Sequence, residues 1–551
     1  MKVLNKQSIA IILVIICFLV NLISSCPNYP EPIKLDQNDP TLQKAYKEVD
    51  SIIQKGMKDN GIKSFIASIV YRDEIVWSKT YGNVNPLDEN SPPLTIDNAI
   101  RIASITKTFT DLMMFQLRDK GTIDSLDDEI SKYFPEFSIG NPYNTKKSPT
   151  FRELSSHQSG LPREVPCDFD DLADEKICSE EVIVERLSKM FLIMPSYQTT
   201  HYSNLGIALL GRTLAKAANT EYEKYVKEKI LFPLGMLNSS YYYDDVKDYL
   251  AQGTYLLSNG SYAIAPVEEL GWGNPMGNLY STARDMSNYM MFWLNNENSN
   301  ILDSTTVNEA MSPISLVNDG DTVYGTPFEM FYDQTNNMWV KSKAGQLLGY
   351  RTQMALIKPL KIGMLFSSLY AFETPDVFTK AAAEILIPVY EQLLYEAGSQ
   401  PQSLVPDFNL QPDISKSTEK EPKKIPDEAF VGTYTNSEGS VFIVDNSTGV
   451  LIANFGDDNL FNVSRFSDQY PEILRIKVSN PEDYACWYVV DGSNYELVYF
   501  TIESTSYGGI ECNSVTAMGQ TMSLTSKDPH YLKNNNIFLE KRNKLISKFL
   551  Q

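Results

Sequence analysis

The chain of 551 residues is 43% hydrophobic and 21% charged, which excludes intrinsic disorder and leaves apolar material for more than one core. Its 48 basic and 69 acidic residues give a net charge of −21, which argues against nucleic acid and anionic membrane surfaces as partners. With only three histidines, His157, His201 and His530, none beside an obvious second ligand or acid, neither a zinc site nor a Ser-His-Asp triad is supported, and no cofactor is expected.

At the N-terminus, Lys2 and Lys6 precede an apolar run from Ile9 to Ile23 and then Ser24, Ser25 and Cys26. A run of about 15 residues suits the core of a signal peptide better than a spanning helix, which needs roughly 20. Residues 1–25 are therefore read as a signal peptide or an uncleaved signal anchor. The protein is expected to be secreted, and membrane-attached only if that segment is retained or Cys26 is lipidated, since Ile23–Cys26 also resembles a lipoprotein cleavage box. Residues 41–58 predict a helix with Leu42, Tyr46, Val49, Ile52 and Ile53 on one face. Two β-rich runs around Arg72-Asp73-Glu74 predict a hairpin.

The next segment, AIRIASITKTFTDLMMFQL, reads as a helix opening near Ser104, with Phe109, Leu112, Met113 and Leu117 at helical spacing. Ser104 and Lys107 are three apart, so a helix sets hydroxyl and amine side by side. A serine at a helix start with an amine one turn on is a plausible activated nucleophile. Ser417-Thr418-Glu419-Lys420 has the same spacing but lies in a charged, Pro-rich stretch. Residues 150–300 read as mostly helical, 338–370 as strands, and 376–397 as a strong helix. Helix–strand–strand at one end and three strands and a helix at the other most simply share one antiparallel sheet, with a helical insertion between.

Residues 398–427 carry five prolines among Lys, Glu and Ser and read as a linker. Residues 428–551 are short alternating runs with turn signals, an all-β barrel or sandwich. The cysteines fit export. Proximity pairs Cys167 with Cys178 and Cys486 with Cys512, buried free thiols being the alternative. Asn238, Asn259, Asn446 and Asn462 head N-x-S/T tripeptides, candidate glycosylation sites in a eukaryotic secretory route.

Without a histidine base, proton transfer falls to Lys or Tyr. Tyr202-Ser203-Asn204 sits just before a helix, and Lys343-Ala344-Gly345-Gln346 sits on a strand. Each tripeptide has chance copies, such as Tyr434-Thr435-Asn436 and Lys361-Ile362-Gly363; order and flanks select Ser104, Tyr202 and Lys343. Ordinary alternatives are helix caps for Ser104 and Asn204 and solvated side chains for Lys107 and Lys343. His157 reads as a loop residue fixing backbone. Trp272 and Tyr280 divide between pocket wall and core.

S-x-x-K, Y-x-N and K-x-G in this order, with FRELSSHQSGLP and HYSNLGIALLGRTL as flanks, resemble the serine β-lactamase and penicillin-binding-protein superfamily, and within it the class C β-lactamase-like serine hydrolases. The resemblance spans about residues 42–397, giving a hydrolase domain at 40–397. It implies an α+β fold: an antiparallel sheet flanked by helices, with an inserted helical subdomain. The C-terminal module loosely resembles appended lipocalin-like barrels. By the same resemblance Ser104 would accept the acyl group, and Lys107 would take or orient its proton. Tyr202 would shuttle protons, and Lys343 would tune Tyr202 and attract a substrate carboxylate. Asn204 would bond Lys107 and the substrate amide. Gly345 and Gln346 would help form the oxyanion hole, from the backbone N–H groups of Ser104 and Gln346. A small ester, amide or peptide is the implied substrate. Ala344 stands where β-lactamases of the family usually carry Thr or Ser. That leaves as readings an exported serine hydrolase of esterase, amidase or peptidase type, a true β-lactamase or D,D-peptidase, a silent binding protein, and a binding role carried by the β module.

Overall fold

The computed structural model describes residues 29–531 apart from 144–147, 168–170, 258, 296–299, 318–321, 371–376, 401–424, 438–440, 450, 456–459, 467–469, 478–496, 505–509 and 518–519. The chain divides into two compact units, Tyr29–Gln400 and one that takes in Pro401–Gln551.

The larger unit opens with helix α1 (Pro40–Asn60). Asp39 caps it by accepting from the Thr41 and Leu42 N–H groups, Pro40 fits the first turn, and Gly61 at φ +68° ends it. The expected hairpin follows as β1 (Phe65–Tyr71) and β2 (Glu74–Tyr81). The sheet is completed by β3 (Ser315–Leu316), β4 (Thr322–Tyr324), β5 (Glu329–Asp333), β6 (Met338–Leu347), β7 (Tyr350–Ile357) and β8 (Ile362–Ser368). These eight strands run in the order β2-β1-β8-β7-β6-β5-β4-β3. The two ends of the unit do share one antiparallel sheet, Phe65 pairing with Ser368 and Tyr71 with Ile362.

Both faces of the central strands are covered, so they read as continuous apolar runs. Along β1, Ile66 and Val70 enter one core while Phe65, Ala67, Ile69 and Tyr71 enter the other. The second core is closed by α1 and by α5 (Val377–Glu396), which pack on each other. The first is closed by the helical insertion, chiefly α2 (Thr106–Asp119), α3 (Asn204–Ala217) and α4 (Ala283–Leu294).

Helix α2 is buried along its whole length from Thr106 to Leu117, polar residues included. Burial of hydroxyls and amides is tolerable only where they are bonded. Thr106 Oγ1 accepts from the Leu279 N–H, Thr110 Oγ1 donates to the Pro275 carbonyl, and the Tyr289 hydroxyl donates to Thr108 Oγ1. These bonds tie the helix to the segment around Asn274–Leu279 and to α4.

The unit's ends meet. The Glu31 N–H donates to the Gln400 carbonyl at 2.9 Å, and Ser399 Oγ donates to the Glu31 carbonyl at 2.6 Å. A disulfide joins Cys167 and Cys178.

The second unit contains a closed barrel of β9 (Gly432–Thr435), β10 (Val441–Asp445), β11 (Ile452–Phe455), β12 (Leu460–Arg465), β13 (Ile473–Lys477), β14 (Leu497–Ser504), β15 (Ile510–Ala517) and β16 (Gln520–Ser526). Each strand pairs with the next in sequence and β16 pairs with β9, which removes free sheet edges. Alternate residues such as Phe442 and Val444, Leu474 and Ile476, Val498 and Phe500 fill the interior. Cys512 is a free thiol in this packed core, not the bridge partner expected for Cys486, which lies outside the described residues.

Phe366 sits on central strand β8 between Ala67 and Gln353 with its ring among α1- and α5-facing side chains. Replacing Phe366 with Ala should cost about 3–5 kcal/mol of stability, read as a lowered urea midpoint in the full chain.

Candidate active site

The helix expected to open near Ser104 does so through a tight first turn. Ala103–Ile105 form a single 3-10 turn before α2, and Ala103 takes φ +48°. A residue with a Cβ in that region stores roughly 1–3 kcal/mol of strain, sustained here by packing of Ala103 and Ile105 on both sides. Ser104 alone of the three is turned partly outward.

One turn on, Lys107 is 0% exposed. Its Nζ donates to Ser104 Oγ at 2.9 Å and to the Met276 carbonyl at 2.5 Å. Burial pulls its pKa below the usual lysine value; the Lys343 ammonium adds to this and Tyr202 opposes it. Lys107 is thus a bonded amine shifted toward its neutral form, not a solvated side chain.

Tyr202 precedes α3. The N-cap of that helix is Ser203, whose Oγ accepts from the Gly206 N–H and donates to the Pro162 carbonyl. The Ser203 N–H donates to His157 Nδ1 at 3.2 Å, and the His157 and Tyr202 rings lie 4.3 Å apart. His157 is fully buried at φ +58°. Burial, then Lys107, Lys343 and Arg163, push its pKa well below the usual histidine value. It is a neutral acceptor that fixes backbone, as its loop context suggested.

The Tyr202 hydroxyl accepts from Lys343 Nζ at 3.4 Å, and Lys107 Nζ lies 5.1 Å from the ring centroid. Burial raises the phenol's pKa, but Lys107, Lys343 and a hydrogen bond with Ser104 bring it below the ordinary tyrosine value. Lys343, on β6, is 1% exposed and donates to Glu329 Oε1 at 2.5 Å. Burial works against its charge, yet Glu329, Tyr202 and Tyr324 outweigh it and hold Lys343 protonated. Glu329 stands opposite Ser342 on the neighbouring β5.

Gly345 lets β6 approach the Ser104 turn. A Cβ there would lie 2.2 Å from the Ile102 carbonyl oxygen and 2.9 Å from the Ser104 nitrogen. The Gln346 side chain is exposed and accepts from the Arg351 guanidinium.

The structure thus gathers Ser104, Lys107, Tyr202, Lys343 and Gly345. Asn204 departs from expectation: as first residue of α3 it turns toward the 162–164 loop, and its Nδ2 donates to both Glu164 carboxylate oxygens at 3.0 and 2.9 Å. The bond expected from it to Lys107 goes to the Met276 carbonyl instead. Trp272 and Tyr280 are buried. Trp272 lines a separate cavity of about 1030 Å³ with Glu180, Arg212 and Glu223, to which none of Ser104, Lys107, Tyr202 or Lys343 contributes. Asn238 and Asn259 are exposed; Asn446 and Asn462 are partly so. Among the described residues no group of three or more His, Cys, Asp or Glu could hold a metal ion. The sequence reading missed Glu329 because the strands Ser315–Leu316, Thr322–Tyr324 and Glu329–Asp333 are too short to show a readable period.

A family model described as Beta-lactamase matches residues 49–386. The chain is 87% identical over 552 residues to "Beta-lactamase-like protein 2" of Dictyostelium discoideum, covering 100% of each. It is 44% identical over 601 residues to "Beta-lactamase-like protein 1" of the same organism, covering 92% of this chain and 96% of the other. A solved octameric penicillin-binding protein homologue from Pyrococcus abyssi aligns with a TM-score of 0.52 at 18% identity, covering 87% of this chain and 99% of that one, a likeness of fold.

Two consequences are measurable. Gly345→Ala should slow reaction of Ser104 with a serine-directed fluorophosphonate by roughly 10²-fold, as expected when one oxyanion donor is displaced; intact-mass kinetics read this, with circular dichroism as the folding control. His157 makes stability depend on pH. The unfolded histidine protonates near pH 6.5, whereas the folded one does so only at much lower pH, so the folded state binds fewer protons. Stability is complete above about pH 6.5 and falls as pH drops toward the folded pKa, by up to ~1.4 kcal/mol per pH unit. His157→Asn, which tolerates a positive φ, should flatten that slope in urea titrations at pH 5 and 7.

Proposed function

This chain belongs to the beta-lactamase family, and on that footing we propose that it is a serine hydrolase that cleaves a small ester or amide through an acyl-enzyme on Ser104. The observation that carries this reading is the bond from fully buried Lys107 Nζ to Ser104 Oγ at 2.9 Å, beside a tyrosine whose pKa is lowered by two lysines.

In the proposed cycle Ser104 Oγ attacks the substrate carbonyl carbon. Its proton passes to the neutral fraction of Lys107 or to the Tyr202 phenolate. The carbonyl oxygen becomes an oxyanion received by the Ser104 and Gln346 N–H groups. Collapse breaks the bond to the leaving group, which departs as alcohol or amine with a proton relayed through Tyr202. Water then attacks the acyl group, gives a proton to Tyr202, and releases the acid while Ser104 recovers its hydroxyl proton. Lys343 remains an ammonium throughout and favours the phenolate form of Tyr202. Lys107, Tyr202, Lys343, Gly345 and Gln346 thus serve Ser104. Asn204, bonded to Glu164, has no step in this cycle.

We assign the N-terminal segment to export. The Cys167–Cys178 disulfide fits a non-cytosolic location, and exposed Asn238 and Asn259 are accessible for glycosylation in such a route.

The fluorophosphonate should form one adduct on the protein and none on Ser104→Ala. Tyr202→Phe should retain the fold and lower kcat for p-nitrophenyl butyrate by about 10²–10⁴-fold. A folded parent that takes no label and turns over no ester would replace this reading with that of a silent binding protein.

A further inference from the structure

The charges at the Ser104 opening bear on which substrate it receives. Three cations surround the Tyr202 ring: Lys107, Lys343 and Arg163, at 5.1, 5.0 and 5.1 Å from its centroid. A substrate carrying a carboxylate beside its scissile bond needs a cation with charge to spare. Lys107 is wholly buried and shifted toward the neutral form. Arg163 Nε is paired with Glu164 Oε1 at 3.0 Å. Lys343 is paired with Glu329 at 2.5 Å, and in that pair the lysine side chain is 1% exposed while the glutamate side chain is 20% exposed. The more accessible member of the pair is therefore the glutamate. Ala344, next along β6, adds a methyl group and no hydrogen-bond donor.

We propose that the Glu329–Lys343 pair selects uncharged substrates, carboxylic esters with no carboxylate near the scissile bond, and that Glu329 is the specificity-determining residue. This rests on the acyl-enzyme reading given above. Glu329 cancels the charge of Lys343 toward incoming anions, and its part-buried carboxylate repels them, while Tyr202 still meets the Lys343 ammonium at hydrogen-bonding range. The reaction balances as acyl transfer: ester and Ser104 Oγ–H give the acyl-serine and a neutral alcohol, and water gives the carboxylic acid and restores Oγ–H.

The test uses the full chain and a matched pair of esters, 3-(butyryloxy)benzoate and its methyl ester. Both form the same butyryl-enzyme, so the ratio of their kcat/KM values reports how the leaving side is received. The unaltered protein should favour the methyl ester by roughly tenfold or more, and Glu329→Gln should shift the ratio toward the carboxylate by about tenfold. Glutamine retains an acceptor for Lys343 Nζ but removes the anion that repels an incoming carboxylate, so the shift is expected whether or not Lys343 stays fully protonated. A merely structural role for Glu329 would lower both rates and leave their ratio unchanged, which overturns the proposal. So does an unaltered protein that prefers the carboxylate, the outcome if the Arg351 guanidinium beside Gln346 received it. Should Glu329→Gln fail to fold, the ratio in the unaltered protein decides by itself. Turnover of both esters with the wrong ratio sinks the selectivity alone. No turnover and no fluorophosphonate label on Ser104 sinks the hydrolase reading and this proposal together.

Discussion

Everything at the site depends on one close approach of backbone to backbone. Strand β6 passes the Ile102–Ser104 turn at Gly345 with no room for a side chain. That contact joins the sheet, which carries Lys343, to the helical core, which carries Ser104 and Lys107. The turn is itself strained at Ala103, and strain of this kind persists only where neighbours over-determine it. Here they do so from both sides, with buried Ile102 and Ile105 below and β6 above.

Around this contact the protein buries two amines against one phenol, an arrangement that is unfavourable without compensation. The two lysines solve it differently. Lys107, among α2, α3 and the Met276 carbonyl, is shifted toward its neutral form and keeps hydrogen bonds. Lys343 keeps its charge because Glu329 is in contact. A phenol between two amines, one shifted toward its neutral form and the other paired with a carboxylate, is biased toward phenolate. His157 completes the arrangement by remaining neutral while it anchors the Ser203 N–H.

Much of this was legible in the sequence where the relevant interaction is local or periodic. Ser104 and Lys107 are one turn apart, so their meeting follows from helical geometry even though the turn before them proved to be 3-10. The central strands announced themselves as continuous apolar runs, and the outer hairpin by the polar turn at Arg72–Glu74. Lys343 and Gly345 were found through a resemblance in motif order; the strand alone would not have singled them out. Glu329 stayed hidden because its pairing is made across a strand register, from a stretch of two-, three- and five-residue strands too short to show alternation. The orientation of Asn204 depends on Glu164, a loop residue whose placement no local rule predicts. The pairing guessed for Cys512 rested on proximity in sequence, whereas in the barrel its position on an inward-facing strand site decided its fate.

The meeting of Glu31 with Ser399 and Gln400 has a consequence for how such a chain can be rearranged. The polypeptide enters and leaves the larger unit at one point, while the first and last strands of its sheet, β1 and β8, are neighbours at the sheet's interior. The unit is therefore a cassette. Its coding segment can be spliced upstream of a different module, or its two ends fused and new ones opened in a surface loop, without any strand having to be rethreaded.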